Sequence, residues 1–152
     1  MQLYIVRHGD AMGTQRDDLR PLSDRGVAEV KTLAAAALTQ GKCRPDIILH
    51  SPKLRAVQTA EIIAEILQPT NGLEEAEDLM PEDDPHVWPR RLAKMNGAIM
   101  LVSHMPFVAA LGCVLLKGRG PRPSGFSTAE MHALHRHDDG LWTWQWRLVP
   151  GA

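Results

Sequence analysis

The sequence is short of several features that mark large protein classes. It holds only two cysteines in 152 residues, Cys43 and Cys113, unclustered and without a partner at metal-ligand spacing, as expected of reduced thiols serving as small apolar residues. Long apolar runs are missing. The longest, Ala34 to Leu38 and Phe107 to Leu116, fall well short of the roughly 20 residues that span a bilayer, so no membrane span is expected. Neither charge sign dominates, with 17 Lys and Arg against 18 Asp and Glu and a formal net charge of −1. That balance argues against a sequence-independent nucleic-acid binder, which needs a basic excess to displace counterions from phosphates. The opening Met1-Gln2-Leu3-Tyr4-Ile5-Val6-Arg7 has neither a basic n-region nor a small-residue cleavage site. It does not read as a secretory signal, and the cytoplasm is the expected location.

What is present suits an ordinary globular domain. At 44% apolar and 23% charged residues the chain is not low-complexity, and at about 150 residues it can bury roughly two-thirds of its surface without metals or disulfides. A single domain over residues 1–152 is expected. Three short unbroken apolar runs, Leu3 to Val6, Ile47 to Leu49 and Ile99 to Val102, are rich in branched residues. Runs apolar at every position suit strands covered on both faces, as in a parallel sheet between helices.

Helical patterns lie between these runs. The first helix is expected from Ser23 as N-cap to about Gln40, with Val27, Val30, Leu33, Ala34, Ala37 and Leu38 as its apolar stripe and Gly41 as its stop. A second is expected from Ser51, with Pro52 at the first helical position, through Leu67; a third follows Pro106 to about Lys117. The acidic, proline-containing segment from Gln68 to Asn96 reads as a loop with a short helix near Val87 to Lys94, and Gly118 to Gly125 as another loop. Thr128 to His135 and Leu141 to Leu148 alternate as strands around an Asp139-Gly140 turn. The whole is an α/β layer fold with a terminal hairpin adding antiparallel strands.

Ligands of open α/β sheets collect beyond the carboxyl ends of the strands. After the first run stand Arg7, His8 and Gly9; after the second Ser51 and Pro52, with Arg55 one turn further; after the third Ser103, His104 and Pro106. Two arginines and two histidines without a core carboxylate or cysteine suit a dianion such as a phosphoryl group. Arginine supplies planar, permanently charged, bidentate donors, and helix N-termini near Ser51 and Met105 add positive dipole ends. Gly9 would let backbone approach the ligand. A neutral imidazole flanked by guanidinium groups can attack phosphorus, and by spacing alone either His8 or His104 could be the nucleophile.

Arg7-His8-Gly9 after a first strand, then Ser51-Pro52-Lys53-Leu54-Arg55-Ala56-Val57-Gln58-Thr59-Ala60, then Ser103-His104-Met105-Pro106, in this order, resembles the histidine phosphatase superfamily with its phosphoglycerate-mutase-like fold. The resemblance implies a three-layer α/β/α architecture, with a mostly parallel central sheet and a C-terminal antiparallel hairpin. It implies that His8 is the nucleophile that becomes phosphorylated, that Arg7, Arg55 and His104 hold the phosphoryl group, with His104 protonated against the transition-state charge, and that no metal or organic cofactor is needed. The short chain, the opening Met1 to Asp10 and Leu19-Arg20-Pro21-Leu22-Ser23 look most like the SixA-type phosphohistidine phosphatases, which implies a phosphohistidine-bearing signalling protein as partner. The alternatives are a broad phosphatase of small phosphorylated molecules on the same site and a non-catalytic phosphohistidine-binding module.

Two departures from the superfamily pattern bear on substrate. Larger relatives carry an acid a few positions after a leucine in the middle segment, whereas here Leu79 is followed by Met80, Pro81 and only then Glu82, the candidate general acid. An alkoxide leaving group, whose conjugate acid is as weak as water at a pKa of about 15.7, needs that proton; imidazole, at about 6.5, does not. Thr14 stands where many relatives have a phosphate-contacting asparagine, and its hydroxyl could substitute. Arg20 either lines the pocket or pairs with Asp17 or Asp24. His132, His135 and His137 read as a scattered surface group, not a metal cluster, with His135 and His137 sharing a strand face and His132 opposite. Trp142, Trp144 and Trp146 read as one aromatic, core-facing strip. His50 and His86 are expected to have no catalytic role.

Overall fold

The computed structural model describes residues 1–13, 16–119 and 125–151. Strands β1 (Gln2–Arg7), β2 (Ile47–His50), β3 (Leu73–Glu75), β4 (Ala98–Ser103), β5 (Met131–Arg136) and β6 (Trp142–Leu148) form one sheet in the order β3-β2-β4-β1-β5-β6. The β3-β2-β4-β1 half is parallel, and the β5-β6 hairpin joins it antiparallel through β1. Helices α1 (Asp24–Gln40) and α2 (Leu54–Leu67) cover one face; α3 (Val87–Ala93) and α4 (Phe107–Leu116) cover the other. The three-layer α/β/α fold is as expected, and no helix among the described residues is long and apolar enough to cross a membrane.

The unbroken apolar runs explain the layers. Along β1, Tyr4 and Val6 join Val30, Leu33, Ala56 and Ile63 under α1 and α2, while Leu3 and Ile5 join Trp88, Leu92, Phe107 and Leu111 under α3 and α4. Alternate side chains of a strand leave on opposite faces, so only a strand apolar at every position serves both clusters.

Helix α1 starts and stops as its sequence indicates. Ser23 Oγ accepts from Gly26 N at 3.0 Å and donates to the Asp10 carboxylate at 2.7 Å, and Gly41 closes the helix at φ 67°. Val30, Leu33, Ala34 and Ala37 are buried, but Leu38 is 55% exposed.

Other boundaries differ from expectation. Helix α2 begins at Leu54 rather than at Ser51, because the Ser51 hydroxyl is committed to Lys53 N (3.2 Å) and to His104, and Lys53 remains extended. The segment read as a loop contributes the edge strand β3, held parallel to β2 by three residue pairs. Strand β5 starts at Met131, after Ala129 has turned through the left-handed region at φ 56°. The tryptophans do not share a face. Ala133 pairs with Trp146 but Leu134 with Trp144, so Gln145 is an extra residue; Trp142 and Trp144 pack under α3 and α4, while Trp146 crosses to Tyr4 on the other side, centroids 6.0 Å apart. Cys43 and Cys113 are free thiols, and burial pushes the Cys43 thiol up to about 12.

The closest backbone approach lies between α1 and the loop after β1, where a Cβ on Gly26 would stand 2.1 Å from Asp10 O. Gly→Ala inside a helix normally adds about 1 kcal/mol of stability. Here the sign reverses: Gly26→Ala is expected to cost about 1–3 kcal/mol, seen as a lower urea midpoint with unchanged slope.

Candidate active site

The β-ladders continue one step beyond the strands and bring the three motifs together. His8 N donates to Ser103 O at 3.0 Å and Ser51 N to Val102 O at 3.1 Å, so residues 8, 51 and 104 follow three adjacent strand ends. The rings of His8 and His104 lie 5.0 Å apart between centroids. His8, Arg55 and His104 are buried, and Arg7 is half-buried.

His8 is held in one tautomer. Its Nδ1 lies 2.7 Å from Gly9 O, an acceptor only, so Nδ1 carries the proton and Nε2 keeps its lone pair. Burial first, then the charges of Arg55, Arg7 and Arg20, hold its pKa down at about 4 despite the Gly9 hydrogen bond. At neutral pH the ring is uncharged, with a lone pair on Nε2.

His104 bonds through Nε2 to Ser51 Oγ at 2.6 Å, and its Nδ1 is buried without a partner. Burial, followed by His8, Arg55 and Lys53, depresses its pKa to about 3. In the free protein His104 is therefore uncharged at neutral pH, burial and the neighbouring cations outweighing the opposing charge of Asp17.

Arg7 Nη1 donates to Phe126 O at 2.7 Å, and Arg55 Nη1 to Asp17 O at 2.8 Å. The Nε of each is buried and unpartnered. Together with His104 Nδ1 these are the only buried side-chain nitrogens or oxygens without a partner among the described residues, and all three belong to this one cluster. The two guanidinium Nε–H groups are donors, costly to leave unpaired in a buried site, and an oxyanion is the group that satisfies several donors at once.

One oxyanion already touches the cluster's outer side. The Asp17 carboxylate accepts from Lys53 Nζ and, at 3.4 Å, from Arg55 Nη2, with Arg20 Nη1 at 3.5 Å. The Lys53 hydrogen bond chiefly, with Arg55 beside it, holds the Asp17 pKa down at about 2, so it is a counter-ion and not a proton donor at neutral pH. Of the two roles considered for Arg20, the pairing with Asp17 is formed, at 3.5 Å.

Sequence reasoning missed Asp17, Lys53 and the Ser51–His104 bond. In the sequence Asp17 figures only as a partner of Arg20 and Lys53 has no role, because nothing local brings residue 17 to residue 53. Other expectations change. The Gly9 amide donates to Thr59 Oγ1 at 3.0 Å, and a Cβ there would meet Val30 at 2.7 Å, so the glycine makes room for α1 rather than for a ligand. Glu82 is exposed and hydrogen-bonds to none of these residues; Met80, whose sulfur accepts from Ser51 Oγ at 3.9 Å, approaches the site instead. Thr14 lies outside the described residues. His135 and His137 stack edge-on at 4.8 Å as expected, but His132 is buried against Glu130 and is no surface histidine.

The layered fold and the cluster at its strand ends define a class: an α/β protein with unpaired guanidinium donors gathered beside an uncharged histidine. The chain belongs to the histidine phosphatase superfamily (branch 1), whose profile matches residues 3–80. It is 30% identical over 155 residues to the phosphohistidine phosphatase SixA of Escherichia coli K12, covering 99% of this chain and 94% of that protein. The structure of the protein histidine phosphatase SixA complexed with tungstate superposes with a TM-score of 0.89 over 99% of this chain and 97% of that one, at 30% identity. A phosphoserine phosphatase from Entamoeba histolytica shares the fold alone, with a TM-score of 0.72, 15% identity and coverage of 96% and 95%.

The two depressed histidines set a pH dependence. An unfolded histidine takes its proton near pH 6.5, whereas the folded values are about 4 for His8 and 3 for His104. Below pH 6.5 the unfolded state therefore binds more protons, and stability falls with pH by up to about 1.4 kcal/mol per unit for each ring until its folded pKa is passed. Urea midpoints are expected to drop between pH 6.5 and 4 and to drop less steeply in His104→Gln, and the His8 ring proton resonances to titrate near 4.

Proposed function

We propose that this protein is a phosphohydrolase that removes phosphate from phosphohistidine of a signalling protein through a phospho-His8 intermediate. The observation that carries the reading is the pairing of an uncharged, tautomer-fixed His8 with unpaired arginine donors on either side. In the first step the His8 Nε2 lone pair attacks phosphorus and the P–N bond of the substrate breaks. The substrate imidazole, protonated at its other nitrogen, leaves as a neutral ring. In the second step water attacks the His8 phosphoryl group, the new P–N bond breaks, His8 returns as a neutral ring still protonated at Nδ1, and inorganic phosphate departs carrying both of the water's protons. Arg7, Arg55 and His104 hold the phosphoryl oxygens in both steps. An arriving dianion raises the His104 pKa from its depressed value, so that ring gains its proton only when substrate charge is present.

The leaving group supports the substrate class. No carboxylate is hydrogen-bonded to either active-site histidine among the described residues, and Glu82 stands in solvent. A site without a poised acid suits imidazole better than an alkoxide. The similarity to SixA points the same way, toward phosphotransfer proteins as partners in the cytoplasm. The tungstate bound by that relative is a tetrahedral oxyanion that mimics a phosphoryl group.

The test is phosphate release from a phosphohistidine-bearing phosphotransfer domain beside p-nitrophenyl phosphate and a phosphoserine peptide. His8→Ala is expected to lower turnover by on the order of 10³-fold or more, and Arg55→Ala by about 10²–10³-fold. Preference for phosphohistidine supports the proposed substrate; faster turnover of the oxygen esters would assign a broad phosphomonoesterase with an acid such as Glu82. A His8→Ala protein as active as wild type would rule out the nucleophile.

A further inference from the structure

Behind Arg7, on the face of the sheet under α3 and α4, lies a chain of buried polar groups that the reaction above does not use. Glu130 is 2% exposed and His132 4% exposed, among the most buried polar side chains of the protein. Glu130 directly precedes β5 at the position opposite Arg7, whose amide donates to Glu130 O at 3.0 Å. The two side chains therefore leave the same face of the sheet.

The hydrogen bonds run in one determinate sense. Trp144 Nε1–H can only donate, and it lies 3.0 Å from His132 Nδ1. Nδ1 must therefore carry a lone pair, which puts the His132 proton on Nε2, donated to Glu130 Oε2 at 2.6 Å. Glu130 Oε1 accepts from Ser127 N at 3.2 Å, and the exposed Arg147 stands 3.9 Å from Oε2. The carbonyl of the same peptide group, Phe126 O, accepts from Arg7 Nη1 at 2.7 Å. The Phe126 ring packs on His132 with centroids 4.2 Å apart. One peptide group is thus held between a carboxylate at its N–H and a guanidinium at its C=O.

We propose that Glu130, fixed by His132 and Trp144, is a positioning residue for Arg7: it clamps the Phe126–Ser127 peptide, whose carbonyl aims the Arg7 guanidinium into the site. The inference rests on the reading of Arg7 as a phosphoryl ligand. Glu130 touches no substrate and acts through Arg7. Of the Arg7 side-chain nitrogens, only Nη1 has a protein partner among the contacts of the described residues, so the Phe126 carbonyl is what sets the direction of the fork. A charge effect and a positioning effect predict opposite signs. Removing the carboxylate leaves Arg7 less compensated, which by Coulomb's law alone tightens anion binding. Loss of the clamp misaims Arg7 and loosens it.

Glu130→Gln separates them through the fixed tautomer. A glutamine amide has one acceptor and one donor end, and both groups it must meet, Ser127 N–H and His132 Nε2–H, are donors. Either orientation sets N–H against N–H. Adding Trp144→Phe removes the indole donor, so His132 can move its proton to Nδ1 and accept from the glutamine NH₂, while the glutamine oxygen takes Ser127 N–H. The clamp is restored without its charge.

The experiment is calorimetric titration of tungstate into the intact protein and its variants. Arg7→Ala is expected to weaken binding about 10–100-fold, the loss of a charge-assisted hydrogen bond. Glu130→Gln is expected to weaken it about 10-fold, with less than a twofold further effect in the Arg7→Ala background, as coupled residues behave. Glu130→Gln/Trp144→Phe is expected within about threefold of wild type, whereas Trp144→Phe alone gives no tightening. Unchanged or tighter binding by Glu130→Gln, an equal loss without Arg7, or no recovery in the double variant would each overturn the inference. Wild-type binding by Arg7→Ala would instead overturn the reading of Arg7. Should Glu130→Gln fail to fold, Glu130→Asp, an acceptor one methylene short, enters the same cycle with the same expected non-additivity.

Discussion

The site depends on the parallel register between β1 and β4, in which Arg7 pairs with Ser103. That register carries the ladder on to His8 N and Ser103 O, sets His104 beside His8, and, through β2 on the other side of β4, brings Ser51 within reach of His104. The register is set by burial. Leu3, Ile5, Leu101 and Ile99 feed one apolar cluster while Tyr4, Val6, Met100 and Val102 feed the other, so a slip of one residue would exchange the two sets of side chains between differently shaped cores.

Concentrating cations at one sheet edge carries an electrostatic cost, and the structure meets it in two ways. The histidines stay uncharged, which burial and neighbouring guanidinium groups both favour. The arginines are balanced by acids placed outside the space between the rings. Asp17 faces Arg55, Lys53 and Arg20 from a 3-10 turn on the solvent side, and Glu130 lies behind Arg7 in the interior. Neither acid hydrogen-bonds to His8 or His104. The arrangement leaves the lone pair of His8 Nε2 without a protein partner and buried guanidinium donors unpaired, the condition in which a tetrahedral oxyanion gains most from binding.

The layers of the fold were legible because they rest on local chemistry. Apolar runs without a polar break announce strands buried on both faces, and Ser23 and Gly41 bound α1 by capping alone. Ser51 was misread because one hydroxyl can serve as a helix cap or as a partner for His104, and that choice depends on a residue 53 positions away. The tryptophan strip failed for a related reason. Period-two alternation holds only while pairing is regular, and the bulge at Gln145 arises from pairing with β5, which moves Trp146 to the opposite face.

The sequence by itself indicated the fold class, the order of elements apart from β3, and the convergence of Arg7, His8, Arg55 and His104, because each follows an apolar run at a strand end and strand ends converge in a parallel sheet. Tertiary structure alone decided the state of those residues. The neutrality of His104, the placing of Asp17 against Lys53, and the burial of Glu130 with His132 all depend on groups distant along the chain and close in space, while the tautomer of His8 is set by the carbonyl of the next residue. Burial and pairing are properties of the assembled core, and local pattern carries no record of them.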